Sequence, residues 1–208
     1  MYHGKYLRLA EAALLCGVAF AMLFGFYLDG QQASLREKTL RLHVLANSDS
    51  EEDQALKLKV RDRVLQLAES YYEPGDDRAA AEEKLQAHLL DLSEAGETVV
   101  RENGYSYPVS AEIEDTWFPS KTYTDFALPA GEYRALRVII GEGDGQNWWC
   151  VLFPPLCLSS VTEETAETAM GAGFSEEETA LITGESGEYI IRFKCVELWE
   201  QWKHIISR

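Results

Sequence analysis

The stretch LRLHVLANSDSEED, residues 40–53, contains a predicted strand followed directly by the start of a helix. From Leu40 to Ala46, apolar and polar side chains alternate over the first half, which is typical of a half-buried strand. Ser48 and Glu51 have the spacing of a capping box, and the acidic side chains that follow complement the helix dipole. The stretch therefore predicts a strand and then a helix with Ser48 as its N-cap.

Two helical patterns follow this start. The first runs to about Tyr72 and is ended by Pro74-Gly75. The positions of its apolar stripe step by three or four residues and are Leu56, Val60, Val64, Leu67 or Ala68, and Tyr71. Asp76 or Asp77 then caps a second helix, which is predicted to continue without a break to about Asn103.

From Tyr107 onward the pattern changes to that of strands. Alternation predicts a strand from Tyr107 to Trp117, followed by a long loop from Pro119 to Pro129. Glu132 to Ile140 and Trp148 to Phe153 are two further runs rich in β-forming residues. The glycine-rich connection between these two runs predicts that they pair as a hairpin.

An acidic segment separates the last of these runs from the C-terminal end. Ser159 to Glu188 contains eight glutamates and no Lys or Arg, which predicts one or two short surface helices on a mobile insertion outside the core. A strand from Glu188 to Val196 and an aromatic helix from Val196 to Ile206 follow. The order of a strand, two helices, several strands and a terminal helix predicts an α+β fold in which helices cover a mainly antiparallel sheet.

An apolar run near the N-terminus predicts a single membrane-targeting helix. Ala12 to Leu28 contains no charged side chain, and its length lies between that of a signal-peptide core and that of a spanning helix. Basic residues before it and Asp29 after it favour transport of the following domain across the membrane. The expected organisation is a signal peptide or signal anchor over residues 1–28, a linker over residues 29–39 and a single exported domain over residues 40–208. Whether the first segment is cleaved stays open.

The chain has 208 residues and a formal net charge of −16, which argues against routine binding of DNA or RNA. Affinity for a phosphate backbone comes mainly from Lys and Arg side chains that displace counterions. The sequence has no Cys-x-x-Cys motif and no histidine-rich cluster, so we expect no metal and no cofactor.

The predicted exported domain contains the cysteines Cys150, Cys157 and Cys195, an odd number that permits at most one internal disulfide. Cys150 and Cys157 can reach bonding distance only if Pro154-Pro155 turns the chain back. The sequence leaves this bridge open.

Candidate catalytic residues are few. His43 precedes Ser48 and Asp49 in the chain, which allows a hydrolytic cluster of these three residues. A strand histidine beside a helix cap is more often an ordinary surface or edge residue. We therefore expect no enzymatic activity, with an exported cell-envelope hydrolase as the alternative.

The most unusual segment is the aromatic run that contains Trp148 and Trp149. Neighbouring side chains of a strand point to opposite faces, which predicts that one tryptophan lies in the core and the other is accessible. Exposed tryptophans near prolines and other aromatic residues are typical of binding hot spots. The residues that we expect to contact a partner are Trp148, Trp149, Trp117, Phe118, Tyr123, Pro154 and Pro155. The alternative is that a helix or the acidic insertion covers both faces.

Two blocks of sequence resemble a known family. The first is Arg41 to Ser50, followed by Asp53-Gln54 and a helix rich in Lys and Arg. The second consists of Phe118–Tyr123, Pro129–Tyr133 and Gly143–Cys157. These blocks, with Glu197 to Trp199 near the C-terminus, resemble the stage II sporulation protein R family of endospore-forming bacteria.

The resemblance implies a signal that passes between two cells. Such a protein is made in the forespore and exported into the space between the two membranes, where it triggers a membrane-embedded aspartic protease of the mother cell. That protease then removes the pro-sequence of a mother-cell sigma factor. The expected partners are this protease and, through residues 12–28, the membrane. The resemblance does not imply which residues contact the protease.

Overall fold

The computed structural model describes residues 14–17, 20, 33–123, 126–157 and 162–183. The chain divides into two compact units, Met1–Leu35 and Arg36–Arg208. Within the described part of the chain, no helix combines the length and the apolar character that crossing a bilayer requires. Most of the predicted membrane-targeting helix lies outside the described residues, and so do the predicted strand over residues 188–196 and the predicted helix over residues 196–206.

The second unit contains a four-stranded sheet and a short two-stranded ribbon. The strands of the sheet are β1 (Leu40–Leu45), β2 (Val109–Phe118), β5 (Gly131–Ile140) and β6 (Asn147–Phe153). The ribbon of β3 (Lys121–Thr122) and β4 (Ala127–Leu128) lies within the predicted loop between Pro119 and Pro129. The order in the sheet is β2-β5-β1-β6, with a parallel pair β1–β5 and two antiparallel pairs. This arrangement confirms a mixed α+β fold with a mainly antiparallel sheet.

The predicted hairpin of β5 with β6 is wrong, because β1 lies between the two strands. Every residue of β1 is buried, and a strand in that position satisfies its backbone groups by pairing along both edges. The connection from β5 to β6 therefore crosses the end of β1. There the Gly145 amide donates to the Ala46 carbonyl over 3.0 Å and the Asp144 amide donates to the Asn47 carbonyl over 3.3 Å.

Helices cover one face of this sheet. The helices that cover it are α1 (Glu51–Glu69), α2 (Arg78–Ala87) and α3 (Leu89–Glu102), and two further helices, α4 (Thr162–Gly171) and α5 (Glu176–Thr183), follow β6 in the chain. Fully buried apolar residues of α1 and α3 pack on those of the strands, and the cluster includes Leu42, Val44, Val60, Val64, Leu92, Val100, Leu136 and Val138. The core of this unit therefore lies between the sheet and these helices.

Two details of the helical prediction are wrong. The helix expected from Asp77 to Asn103 is broken at His88, whose backbone angles of φ −116° and ψ 20° are not helical. The N-cap of α1 is Ser50, not Ser48, and its hydroxyl accepts a hydrogen bond from the Asp53 amide over 3.2 Å. Ser48 is free for a different contact because the helix begins two residues later than the spacing suggested.

The acidic segment forms the two short helices that its sequence predicts, α4 and α5. The expectation that it lies outside the core is wrong for Ala169 and Phe174, which are 0% and 5% exposed. Lys38, which lies two residues before β1, contacts this segment. Its ammonium lies 2.7 Å from a Glu178 carboxylate oxygen and 5.7 Å from the centre of the Phe174 ring. The glutamates dominate the composition, but the few apolar side chains determine the packing.

Candidate interaction site

The face of the sheet opposite the helices carries charged and polar side chains among aromatic ones. Side chains alternate along β1, so Leu42 and Val44 enter the core beneath the helices while Arg41 and His43 lie on the other face. Arg41 is 0% exposed and His43 is 8% exposed. A charged group with this degree of burial needs specific partners, because removing it from water is costly.

Arg41 forms the centre of a group of contacts that we call the arginine cluster, consisting of Arg41, Phe118, Tyr123, Tyr133 and the backbone of Cys150. Its Nε donates to the Cys150 carbonyl over 3.0 Å, and its Nη2 donates to the Tyr123 hydroxyl over 2.8 Å. Its Cζ lies 4.3 Å from the ring centre of Phe118 and 5.0 Å from that of Tyr133. These distances are typical of cation–π contacts. One buried cation on β1 thus contacts residues of the other three strands of the sheet and Tyr123, which directly follows β3.

The two tyrosines of the cluster are fixed by their hydroxyl groups. The Tyr123 hydroxyl donates to the Trp149 carbonyl over 3.2 Å, and the Tyr133 hydroxyl donates to the Pro129 carbonyl over 2.7 Å. Burial raises the pKa of Tyr123, although the Arg41 charge opposes this, and burial raises the pKa of Tyr133 to about 12. Both hydroxyls therefore stay protonated near neutral pH and keep their donor roles.

His43 lies next to the arginine cluster on β1. Its Nε2 is 2.7 Å from the Asn147 side-chain oxygen, and its ring centre is 6.0 Å from that of Phe118 and 6.1 Å from that of Trp149. Burial lowers the pKa of His43 and the Arg137 charge lowers it further, while the hydrogen bond to Asn147 acts in the opposite direction. The neutral imidazole therefore donates from Nε2, since the oxygen of Asn147 can only accept.

The hydrolytic cluster that the sequence allowed does not share hydrogen bonds. Ser48 donates from its hydroxyl to the Asp53 carboxylate over 2.6 Å, and the Asp49 carboxylate accepts from the backbone N–H of Gln146 over 2.7 Å. His43 is bonded to Asn147. The polar contacts of His43, Ser48 and Asp49 therefore go to three different partners.

The end of β1 and the start of α1 are joined to the glycine-rich loop of residues 141–146 by a second network, which we call the loop lock. The Asp53 carboxylate accepts from Ser48 and, over 2.9 Å, from the Asn47 side-chain amide. The Asn47 oxygen in turn accepts from the Glu142 amide over 3.1 Å. Burial raises the pKa of Asp53, but these hydrogen bonds outweigh it and hold the pKa below its usual value. The loop lock fixes the loop that leads into Asn147 and Trp149.

A comparison with known proteins matches this same part of the chain. The family described as stage II sporulation protein R matches residues 36–163, which include all strands of the sheet and helices α1 to α3. The chain belongs to the stage II sporulation protein R family. Its sequence is therefore that of a protein with a role in sporulation.

One relative shows the extent of this similarity. The chain is 35% identical over 129 residues to Stage II sporulation protein R of Bacillus subtilis (strain 168). The match covers 62% of this chain and 58% of that protein, so the chain spans less than two thirds of the length of this relative. No solved structure matches the chain.

Among the residues described above, no group of three or more His, Cys, Asp and Glu side chains could hold a metal ion.

The residues expected to contact a partner lie on both faces of the sheet in this member of the stage II sporulation protein R family. Phe118, Tyr123 and Trp149 come together around Arg41. Trp148 lies on the helix side, with the Arg61 guanidinium 4.2 Å from its ring centre. They therefore do not form one continuous patch, and their role in binding stays a prediction.

The remaining expected residues differ in exposure. Trp117 is half-buried on β2, Pro154 is buried and Pro155 is exposed. The expectation that the two tryptophans lie on opposite faces is confirmed, but neither is fully buried or fully exposed, because both Trp148 and Trp149 are half-buried. Trp148 packs against the core beneath the helices, whereas Trp149 packs against Phe118, Tyr133 and Ala135 on the opposite face.

Arg41 is the residue that sequence reasoning missed. A charged side chain between Leu40 and Leu42 follows the pattern of a strand with one face in water. Its only distinctive signal is its place in a block shared with the stage II sporulation protein R family. Its burial depends on aromatic residues that are at least 77 positions away in the chain, such as Phe118.

The structure also settles the cysteine pairing that the sequence left open for residues 150 and 157. Cys150 and Cys157 form a disulfide, with their Cα atoms 5.5 Å apart. The chain turns back between them at Pro154-Pro155, where the Leu156 amide donates to the Pro154 carbonyl over 2.7 Å. The disulfide links the middle of β6 to the turn that follows this strand, within the block shared with the family.

Proposed function

We propose that this chain is an exported signalling protein of endospore formation. It activates a membrane-embedded aspartic protease of the mother cell, and the protease then processes a pro-sigma factor. In this proposal the domain from residue 40 onward acts in the space between the two membranes, and the N-terminal segment associates with the membrane before any cleavage. The chain acts as a ligand and not as an enzyme.

The observation that carries the proposal is that the family match covers the sheet and the arginine cluster with it. A signalling ligand needs a surface whose shape is fixed before it meets its receptor, because ordering side chains on binding weakens affinity. Arg41 and Tyr123 hold the backbone at Cys150 and Trp149, so the strand that presents Trp149 is fixed in advance.

Activation follows from a shift between two states of the protease. A ligand can favour the active state only to the extent that it binds this state more tightly than the inactive one. In this proposal aromatic contacts, including Trp149, supply affinity. The acidic surface, with a net charge of −16 for the whole chain, chiefly affects orientation and the rate of association.

The proposal is tested by producing the full chain with the protease and its pro-sigma substrate in a bacterial host that does not sporulate. Processing of the substrate should require both the protease and this chain. A protease variant that lacks a catalytic aspartate is the control for cleavage by host enzymes. Equal processing with and without the chain would contradict the proposal.

The alternative is an exported hydrolase that uses His43. One observation favours it: the buried Nδ1 of His43 has no hydrogen-bond partner in the described part of the chain. The hydrogen bonds of Ser48 and Asp49 to other groups speak against it. In the same host, His43→Ala should keep most of the processing if the chain is a ligand, provided that the variant accumulates normally, and should lose it if the chain is a hydrolase.

A further inference from the structure

We infer that the Cys150–Cys157 disulfide makes the signalling activity depend on oxidation, so that the chain becomes active only after it leaves the reducing interior of the cell. This inference rests on the proposed function and adds a form of regulation to it. The switch joins Cys150, in the middle of β6, to Cys157 in the segment after it, and β6 is the strand that carries Trp148 and Trp149.

The disulfide is part of the packed core. Cys150 is 3% exposed and belongs to the cluster beneath the helices, and Cys157 packs against the same cluster. Leu152 and Phe153, which lie inside the closed loop, are also buried there. Two thiol sulfur atoms cannot stay at bonding distance, and a close-packed interior has no spare room for them to separate. Reduction therefore has to displace neighbouring groups.

The groups next to the disulfide are those of the candidate site. Cys150 pairs with Leu42 of β1, and its carbonyl accepts the hydrogen bond from Arg41 Nε. The adjacent carbonyl, that of Trp149, accepts from Tyr123, which Arg41 also holds. A displacement of Cys150 thus acts directly on the backbone that positions Trp149.

The oxidation state of the cysteine pair should differ between the two sides of the membrane. Disulfides persist in exported proteins, whereas in the cytoplasm thiol systems keep cysteine side chains in the reduced thiol form. Formation proceeds by exchange: a thiolate of one cysteine attacks a disulfide of an oxidant, such as oxidised glutathione or an exported thiol–disulfide oxidoreductase. This attack releases one sulfur of the oxidant as a thiol and leaves a mixed disulfide, and the thiolate of the second cysteine then attacks the sulfur of the first cysteine and releases the other sulfur of the oxidant as a thiol. Both electrons and both protons of the cysteine pair leave the chain in this way.

The test uses the full chain, purified in detergent micelles, and membranes that carry the protease and its pro-sigma substrate. The chain is added oxidised, or reduced with dithiothreitol that is then removed. The reduced chain should process substrate at least about tenfold more slowly, a change that a modest loss of affinity for the active state produces. Oxidised glutathione should restore the rate, and the fluorescence of the tryptophans should change and recover in parallel.

Cys157→Ala breaks the disulfide at its less buried end, and Cys195→Ala is the matched control that keeps it. The first variant should resemble the reduced chain and should not respond to oxidised glutathione, while the second should resemble the oxidised chain. If Cys157→Ala fails to fold, the reduction and reoxidation of the unchanged chain decide the question.

Two results would contradict the inference in different ways. Equal processing by the oxidised and the reduced chain would exclude the redox switch and leave the proposed function intact. Thiol labelling shows whether the disulfide is present. If a chain with an intact disulfide gives no processing, the proposed function is wrong, and the switch with it.

Discussion

The Cζ atom of Arg41 on β1 lies 4.3 Å from the ring centre of Phe118 on β2, although β5 separates these two strands in the sheet. The contact is possible because Arg41 lies flat across the face of the sheet instead of extending into water. It makes a charged side chain part of the packing between distant strands.

Replacing Arg41 with lysine should destabilise the fold. Lysine keeps the charge but cannot reproduce the directed hydrogen bonds of a guanidinium to Cys150 and Tyr123. We expect the free energy of unfolding to fall by about 3 kcal/mol, as for other broken buried charge contacts. Urea unfolding of the purified chain measures this change.

The matched control for this variant is Arg137→Lys. Arg137 lies on the same face and forms ion pairs with Glu112 and Glu114, but it is partly exposed to water. The Arg137→Lys substitution should lower the free energy of unfolding by less than about 1 kcal/mol. Similar losses for the two variants would mean that the contacts of Arg41 are not special.

Gly145→Ala should destabilise the loop lock. A Cβ atom at this position would collide with the backbone carbonyl of Ser48, which cannot move without shifting the start of α1. We expect a loss of about 2 kcal/mol in the free energy of unfolding. Gly171→Ala is the control because its Cβ would meet no atom within 4 Å, and its effect should stay within about 0.5 kcal/mol. Thermal unfolding that shows equal effects would argue against the close approach at Gly145.

Stability should fall in mildly acidic solution because of His43. The pKa of His43 is lowered in the folded state, so the folded chain binds fewer protons than the unfolded chain below the ordinary value of 6.5. The contribution of neutral His43 to the free energy of unfolding is fully present above pH 6.5. It is lost as the pH falls from 6.5 through the lowered pKa of His43 in the folded state. Unfolding free energies measured between pH 8 and pH 5 should decline less for His43→Gln than for the unchanged chain.

The loop lock should respond at lower pH through Asp53. Asp53→Asn removes the negative charge that strengthens the hydrogen bonds from Ser48 and Asn47 and leaves only one acceptor oxygen, which should cost about 2 kcal/mol near pH 7. Because the pKa of Asp53 is lowered from 3.8, its contribution is present above that value and is lost as the pH falls through the lowered pKa. The difference between the two chains should therefore shrink in acid.

The control for Asp53→Asn is Glu52→Gln, a neighbouring acidic residue that is exposed. It should change the free energy of unfolding by less than about 0.5 kcal/mol at neutral pH. A difference between Asp53→Asn and the unchanged chain that stays constant down to the acid limit of folding would contradict the role given to the Asp53 carboxylate.

Trp149→Ala should impair processing of the pro-sigma factor in the co-expression host. Its side chain packs on Phe118, on the face that carries the arginine cluster, and truncation of a tryptophan hot spot commonly lowers affinity by about tenfold or more. Trp148→Ala is the control, since Trp148 packs beneath Arg61 on the helix side and should mainly lower thermal stability. Normal processing by a stable Trp149→Ala variant would remove Trp149 from the proposed contact surface.

The helices and strands of this protein could be predicted segment by segment from local sequence patterns. The alternating pattern of residues 40–46, the helical stripe through Val60 and Val64, and the paired short helices of the acidic segment all depend on neighbours a few positions away. The family could also be identified from the sequence, because the shared blocks are long and continuous. Each of these features can be read without knowledge of contacts between distant parts of the chain.

The order of the strands and the composition of the candidate site depend on contacts between distant parts of the chain. The position of β1 between β5 and β6 follows from burial along the whole of β1, which local turn preferences cannot show. Arg41 is buried only because Phe118, Tyr123 and Tyr133 arrive from other parts of the chain. Such a contact depends on how the whole chain packs, because the free-energy cost of removing the Arg41 charge from water is offset only when all its partners are in place.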